Sequence, residues 1–436
     1  MTTQSSEWLA AARLVRRTGF GATGPAVDAA LRTGTAGYVD AALAADPATD
    51  PGAIATPPPS FAAIAPVGKN ADRTARQQRN KQISAQVAEL TGWWVRRMIA
   101  VQQPTVEKLT FDWHNHFATA VSKVRQPAWM LAQNETLRRL GRGGFRPLAL
   151  AMLTDAAMLR WLDGETNTAD APNENLSREF MELFALGQGD DYTEMDVREG
   201  ARALTGWRIR RDGQTYLDAN KHDDGVETFL GVTGSLDVTG YCDAVLARPS
   251  SPAHVAGRWW GQLVSDSPPG GAVLAAVLSA YGPQRDLTAL FRAMLTSPAF
   301  AAAEGTKVIS PVEWLVGVAR ALRLPASTSA TALVGALRGL GQVPFDPPNV
   351  GGWPAGQAWL STASADLRLR TATALARAGD LATVTDAASG DRIDAAGYLL
   401  GIGAWSDRSV AALRPSVGDP RQLVAIAANT PEYLVH

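Results

Sequence analysis

Apolar side chains recur at spacings of three and four along most of the 436 residues and strict alternation is scarce, so the pattern predicts a mainly α protein. Helices are expected over 7–17 and 25–44, the second interrupted near Thr33–Gly37, then over 72–101, 105–121, 127–140, 146–160, 174–186 and 194–205. A more alanine-rich helical set follows from about 240 to the end. The stretch "ATDPGAIATPPPS" before the long 72–101 helix carries prolines that cannot continue a helix, and marks an exposed linker or loop. The first half of that helix, "DRTARQQRNKQ", is polar and basic and reads as a solvated face.

One β feature interrupts the helices. "WRIRRDGQTYLDA" sets Asp212-Gly213 between two short alternating segments, the strongest short hairpin signal, and "KHDDGVETFLG" repeats it at Asp224-Gly225. A small β-hairpin excursion is therefore expected near 207–231. No fixed-period repeat is present, which argues against a solenoid. The architecture expected is a large multi-helix globular bundle, a single domain over 1–436, with a subdivision into 1–60, 61–235 and 236–436 left open.

A hydrophobic fraction of 46% with 19% charged residues supplies ample core and excludes disorder. With 41 basic and 42 acidic residues the net charge is −1, so there is no general pull toward a polyanion and no nucleic acid is expected as partner. Cys242 is the sole cysteine, which rules out an internal disulfide and any CxxC site. Any metal must then be held by His, Asp and Glu. The opening "MTTQSSEWLAAARLVRRTGFGATG" lacks the basic and apolar regions of a secretory signal, and no run approaches the roughly 18 apolar residues of a membrane span. Cytoplasmic is the default expectation, with export alongside a partner left open.

Candidate chemistry centres on "FDWHNHF", residues 111–117. Pro104 suits a first helical turn, and Val106, Leu109, Trp113, Phe117 and Ala120 share one face, so the segment is helical. Positions two apart on a helix point about 200° from each other, so only one of His114 and His116 faces any shared site. Asp112 lies one turn from His116 and is a candidate to orient it. Each histidine is otherwise a core residue satisfied by a neighbour. His222 falls beside two aspartates in "KHDDG"; His254 sits on an ordinary helix and His436 is terminal.

A second candidate is "APNENLSREFMELFALGQG", where Asn175, Glu179 and Glu182 form a stripe beside the apolar face of Leu176, Phe180 and Leu183. Two carboxylates three apart repel and call for a cation, either a metal or an arginine. "YTEMDVREGARALTGW" offers Arg198 and Arg202 one turn apart, behind a Thr193 N-cap. A Glu–Arg clamp between two helices and a catalytic or metal role both remain open. The loop "PFDPPNVGGWPAGQAWLS" places Trp353 and Trp359 where they line a pocket or pack over a bundle end. No P-loop, GxSxG elbow, HExxH or dinucleotide fingerprint occurs.

"RLVRRTGFGATG", "FDWHNHFAT", "FRPLALAMLTDAAMLRWLDG", "PNENLSREFMELFALG", "YTEMDVREGARALTGW", "HDDGVETFLG", "SPVEWLVG" and "PPNVGGWPAGQAWLS" follow one another in the order found in the bacterial domain-of-unknown-function 1800 family. The chain resembles that family from about residue 13 to 370. The resemblance implies no established reaction. It implies a bacterial protein and a partnership with a sulfatase-like protein of the domain-of-unknown-function 1501 family, and it sets relatives that are exported against this chain's bare N-terminus. The matching residues able to do chemistry are His114, His116, Glu174, Glu179, Glu182, Arg202, His222 and Asp223, with no role carried over.

The leading expectation is a pocket between helices where His114 or His116, with His222, Asp223, Glu179 and Glu182, holds a divalent metal ion. Glu179, Glu182, His116 and Arg202 would act on substrate as a metal-dependent hydrolase or an oxidoreductase. The rival is a non-catalytic helical scaffold that binds the sulfatase-like partner or a cell-surface polymer.

Overall fold

A computed structural model describes residues 3–435 apart from 63, 65–66, 69–71, 190 and 304–306, so His436 lies outside the described residues. It is mainly helical, as the periodicity predicts, with two separate two-stranded antiparallel sheets. The paired segments 25–44 are two helices, Gly24–Thr33 and Thr35–Ala44, because Gly34 adopts φ +75, a conformation glycine takes without strain. Expected 146–160 also divides, into Phe145–Leu153 and Ala156–Trp161. There Asp155 leaves helical geometry and its side chain caps Met158 N. The Pro-rich linker holds one short helix, Pro51–Ala55, started by Asp50 with Pro51 in its first turn.

The first hairpin forms as expected, with β1 (Trp207–Ile209) paired to β2 (Thr215–Leu217). The second differs from expectation in its turn. β3 (Glu227–Phe229) pairs with β4 (Val232–Gly234) through Leu230 and Gly231, both at positive φ, as the common two-residue hairpin turn requires. Asp224-Gly225 instead forms a local turn in which Gly225 N donates to the Asp223 carboxylate.

At the centre stands the Thr105–His116 helix, in which every residue except Asn115 is buried. It ends five residues before the expected 121, because Phe117 turns out of helical space at φ −92, ψ 58. One side of it faces an apolar cluster built on Trp94, Phe111, Trp314 and Trp353, and the other a cluster built on Trp113, Phe117, Phe184 and Trp259. A helix enclosed on all sides must satisfy its polar side chains internally, and this requirement organises the site.

Candidate functional site: a polar chamber beside the central helix

Glu107 anchors the N-terminal end of this helix. Its carboxylate accepts from Arg97 Nε at 2.7 Å, from Arg138 Nε and Nη2 at 2.8 Å each, and from Trp94 Nε1 at 2.9 Å. Burial would raise its pKa, but the two arginines prevail and hold it down at about 2. One turn on, Lys108 Nζ donates to both oxygens of Asp112 at 2.7 and 2.6 Å and lies 3.2 Å from Glu313. The expected Asp112–His116 pair is therefore not formed. Lys108 is as near to Asp112 along the helix as His116 is, and it offers a full charge inside a low-dielectric interior. Burial outweighs Lys108 at Asp112, with Glu313 adding to the rise, and its pKa is pushed up to about 6.

The two histidines point apart, as the helical spacing requires. His114 lies among Trp94, Phe345 and Trp353, and its Nε2 accepts the backbone N–H of Phe345 at 3.1 Å. Burial lowers its pKa to about 3. His116 lies on the opposite side, edge-on to Trp113 and Phe117. Its Nε2 is 3.0 Å from the carbonyl of Phe184; a carbonyl can only accept, so Nε2 carries the proton and Nδ1 the lone pair. Nδ1 is buried and has no hydrogen-bond partner among the described residues. Burial and the charge of Arg258 keep the ring neutral.

His116 lines a narrow crevice together with Asp112, Arg258, Trp259 and Gln262. The crevice adjoins a cavity of about 30 Å³ that shares Asp112 and Gln262 with it and is bounded by Lys307, Glu313 and Trp359. Arg258 and Gln262 stand one turn apart on the Ser250–Leu263 helix and are half-buried, so the pocket reaches solvent between them. The other charges here are matched. Lys108 serves Asp112 and Glu313, while Lys307 donates to Gly261 O at 2.8 Å and lies 3.6 Å from Asp266. Arg258 has no carboxylate within ion-pair distance and no hydrogen-bond acceptor among the described residues, and burial lowers its pKa.

The outer wall comes from the "PFDPPNVGGWPAGQAWLS" loop. Trp353 N donates to Asn115 Oδ1 at 2.8 Å, and Gly352, at φ +90, leaves no room for a Cβ against Asn115. His114 and Asn115 thus hold the loop over the chamber that His116 lines.

The other residues singled out from sequence lie elsewhere. Glu179 and Glu182 are half-buried and form no ion pair among the described residues; Gln188 donates to Glu182, and burial followed by Glu182 raises the pKa of Glu179. The Glu–Arg clamp between the two helices exists, with Arg198 3.6 Å from Glu174 as one expected member and Arg178 as a further one. Arg178 holds Glu174 and Glu194 at 2.8 and 2.7 Å, whereas Arg202 holds Asp223 at 2.7 Å and Glu199 at 2.6 Å. His222 Nδ1 contacts Thr205 Oγ1 and the Thr205 carbonyl at 3.2 and 3.1 Å, so its imidazole fastens the excursion to the end of the Glu194–Ala203 helix. The six expected metal ligands are therefore spread over separate contacts. Among the described residues no group of three or more His, Cys, Asp or Glu is placed to share a metal ion.

Sequence reasoning passed over Arg258, Gln262, Lys307 and Glu313, and did not weigh Lys108. Glu313 carried a visible signal, since Ser310 and Glu313 form a reciprocal capping box ahead of an apolar run. Lys108, four residues before Asp112, carried one as well.

The fold and this chamber define a mainly helical protein with a charged interior site. The family described as "Protein of unknown function (DUF1800)" matches residues 13–435, and the chain belongs to that family. No curated protein and no solved structure matches it. Among the described residues no helix is long and apolar enough to cross a membrane.

Proposed function

We propose that the chamber is the working site and that it takes a small anionic substrate, with Arg258 binding the charge, His116 Nδ1 accepting a hydrogen bond and Asp112 exchanging a proton. The observation that carries this reading is that a lone pair without a donor and a guanidinium without a counter-ion share one pocket. An unmatched half-buried cation is costly unless a ligand completes it. Asp112, with its pKa near 6, changes protonation close to neutral pH, as a general acid or base should. In a metal-assisted version a divalent ion would meet His116 Nδ1 and Asp112 here, two donors to be completed by substrate or water.

The test is calorimetric titration of acetate, sulfate and phosphate at low ionic strength into the wild type and Arg258→Gln. A saturable site that disappears in Arg258→Gln supports the reading. Equal heats in both proteins, or none in the wild type, refute it. A second reading, a non-catalytic scaffold for a sulfatase-like partner or a surface polymer, draws support from the Arg97–Glu107–Arg138 cluster, whose charges are spent on packing.

A further inference from the structure

A second cavity, of about 190 Å³, shares no lining residue with the chamber. Leu9, Ala12, Arg13 and Arg16 stand at spacings of three and four on the Ser6–Thr18 helix, and this stripe forms one wall. The 401–404 loop, Glu432 and Val435 form the others. Leu9, Glu432 and Val435 are half-buried, so the cavity is reached from solvent.

Arg16 is 8% exposed, and its guanidinium donates only to neutral acceptors. Nη1 meets the Glu432 carbonyl at 3.1 Å, and Nη2 the Gly401 and Leu400 carbonyls at 2.8 and 3.3 Å. Among the described residues its Nε has no hydrogen-bond partner, and no carboxylate lies within ion-pair distance of it. The Glu432 carboxylate is turned to other donors, the Ser406 N–H at 3.0 Å and the hydroxyls of Ser406 and Ser409 at 2.7 and 2.8 Å. Arg13 adds a second cation, so two guanidinium groups stand in the wall against one carboxylate. A buried charge among neutral dipoles keeps much of its desolvation cost, and a counter-ion in the adjoining space offsets it.

The rest of the wall is apolar at Leu9, Ile402 and Val435. An apolar cavity of about 150 Å³ already accepts a molecule the size of benzene. A bare inorganic anion would leave these walls unfilled, and a neutral apolar molecule would leave Arg16 unmatched. We infer that this cavity binds a small organic carboxylate with a short apolar body, the carboxylate on Arg16 and the body against Leu9, Ile402 and Val435. Such a ligand ties the Ser6–Thr18 helix to the 401–404 loop, a second site independent of the chamber.

The test is calorimetric titration of benzoate, acetate and benzyl alcohol into the full chain at pH 7. Benzoate should bind saturably and at least about tenfold more tightly than either analogue, since acetate lacks the apolar body and benzyl alcohol the charge. Arg16→Gln, checked for folding by its melting curve, should lose the preference for benzoate over benzyl alcohol. Leu9→Trp keeps Arg16 and fills the cavity from a half-buried position, so it should weaken benzoate at least about tenfold, and it decides if Arg16→Gln does not fold. No saturable benzoate binding in the wild type overturns the inference. Acetate or benzyl alcohol binding as tightly as benzoate overturns it too. So does benzoate binding that persists undiminished in folded Arg16→Gln and Leu9→Trp, or that is lost in Arg258→Gln instead, the last of which assigns the carboxylate to the chamber.

Discussion

Replacing Glu107 by glutamine imposes permanently what acid does reversibly: it leaves the side chain in place and removes its charge. The carboxylate is buried and accepts from Arg97, Arg138 and Trp94, so Arg97 would lose its counter-charge and Arg138 would keep only the more exposed Glu135. Its pKa stands at about 2 against an ordinary 4.5, a difference worth about 3 kcal/mol at 1.36 kcal/mol per unit. That agrees with the roughly 3–5 kcal/mol lost when one member of a buried pair is removed. A chain of 436 residues unfolds with an entropy near 0.9 kcal/mol per degree, so Glu107→Gln should lower the melting temperature by about 4 °C. The sign with pH follows from a depressed carboxylate: the stabilisation is complete above about pH 4.5 and is lost as pH falls through about 2. The wild type and Glu107→Gln should therefore converge in stability toward pH 2. The assay is thermal unfolding followed by circular dichroism at pH 7 and at pH 3. A shift below 1 °C at pH 7, or a difference that grows on acidification, would refute the assignment of Glu107 as the ionised centre of this cluster.

Glu227 should behave in the opposite sense. It is buried, Arg202 Nε lies 3.9 Å away, and burial pushes its pKa up to about 7. Wild-type stability should fall as pH rises from about 4.5 to 7, and Glu227→Gln should abolish that slope and gain on the order of 1–3 kcal/mol at pH 8 by urea unfolding. A Cβ at Gly317 would meet the Phe20 carbonyl and the Tyr433 hydroxyl, so Gly317→Ala should cost about 1–3 kcal/mol in the same assay. Glu179→Gln and Glu182→Gln, at half-buried positions without ion pairs among the described residues, should each change stability by about 0.5 kcal/mol or less. If instead elemental mass spectrometry finds a bound metal that both variants lose, the acidic stripe is a metal site and the chamber is not the working centre.

Local patterning made most of the fold legible. Helical periodicity, the Thr193 and Ser310 caps and the Asp212-Gly213 hairpin are short-range signals, and the chain obeys them. The central helix and the opposed directions of His114 and His116 followed from 3.6 residues per turn. Pairing partners were not legible. Asp112 has a cation four residues before it and an imidazole four residues after it, and spacing cannot rank them; only the enclosing structure, by burying Lys108 and bringing Glu313 beside it, decides. Arg258 and Lys307 come from helices and loops about 150 residues or more further on, and contacts at that range carry no periodic trace.

The Phe180–Ala185 segment holds one residue more per turn than an α-helix would. Deleting a single residue there would restore ordinary winding and swing the Leu183 and Phe184 carbonyls by about 100°, away from the imidazoles of His254 and His116. The protonation pattern of two rings on distant helices is thus a counting property of the backbone. Length variation should therefore be tolerated in the surrounding loops and rejected within these six positions.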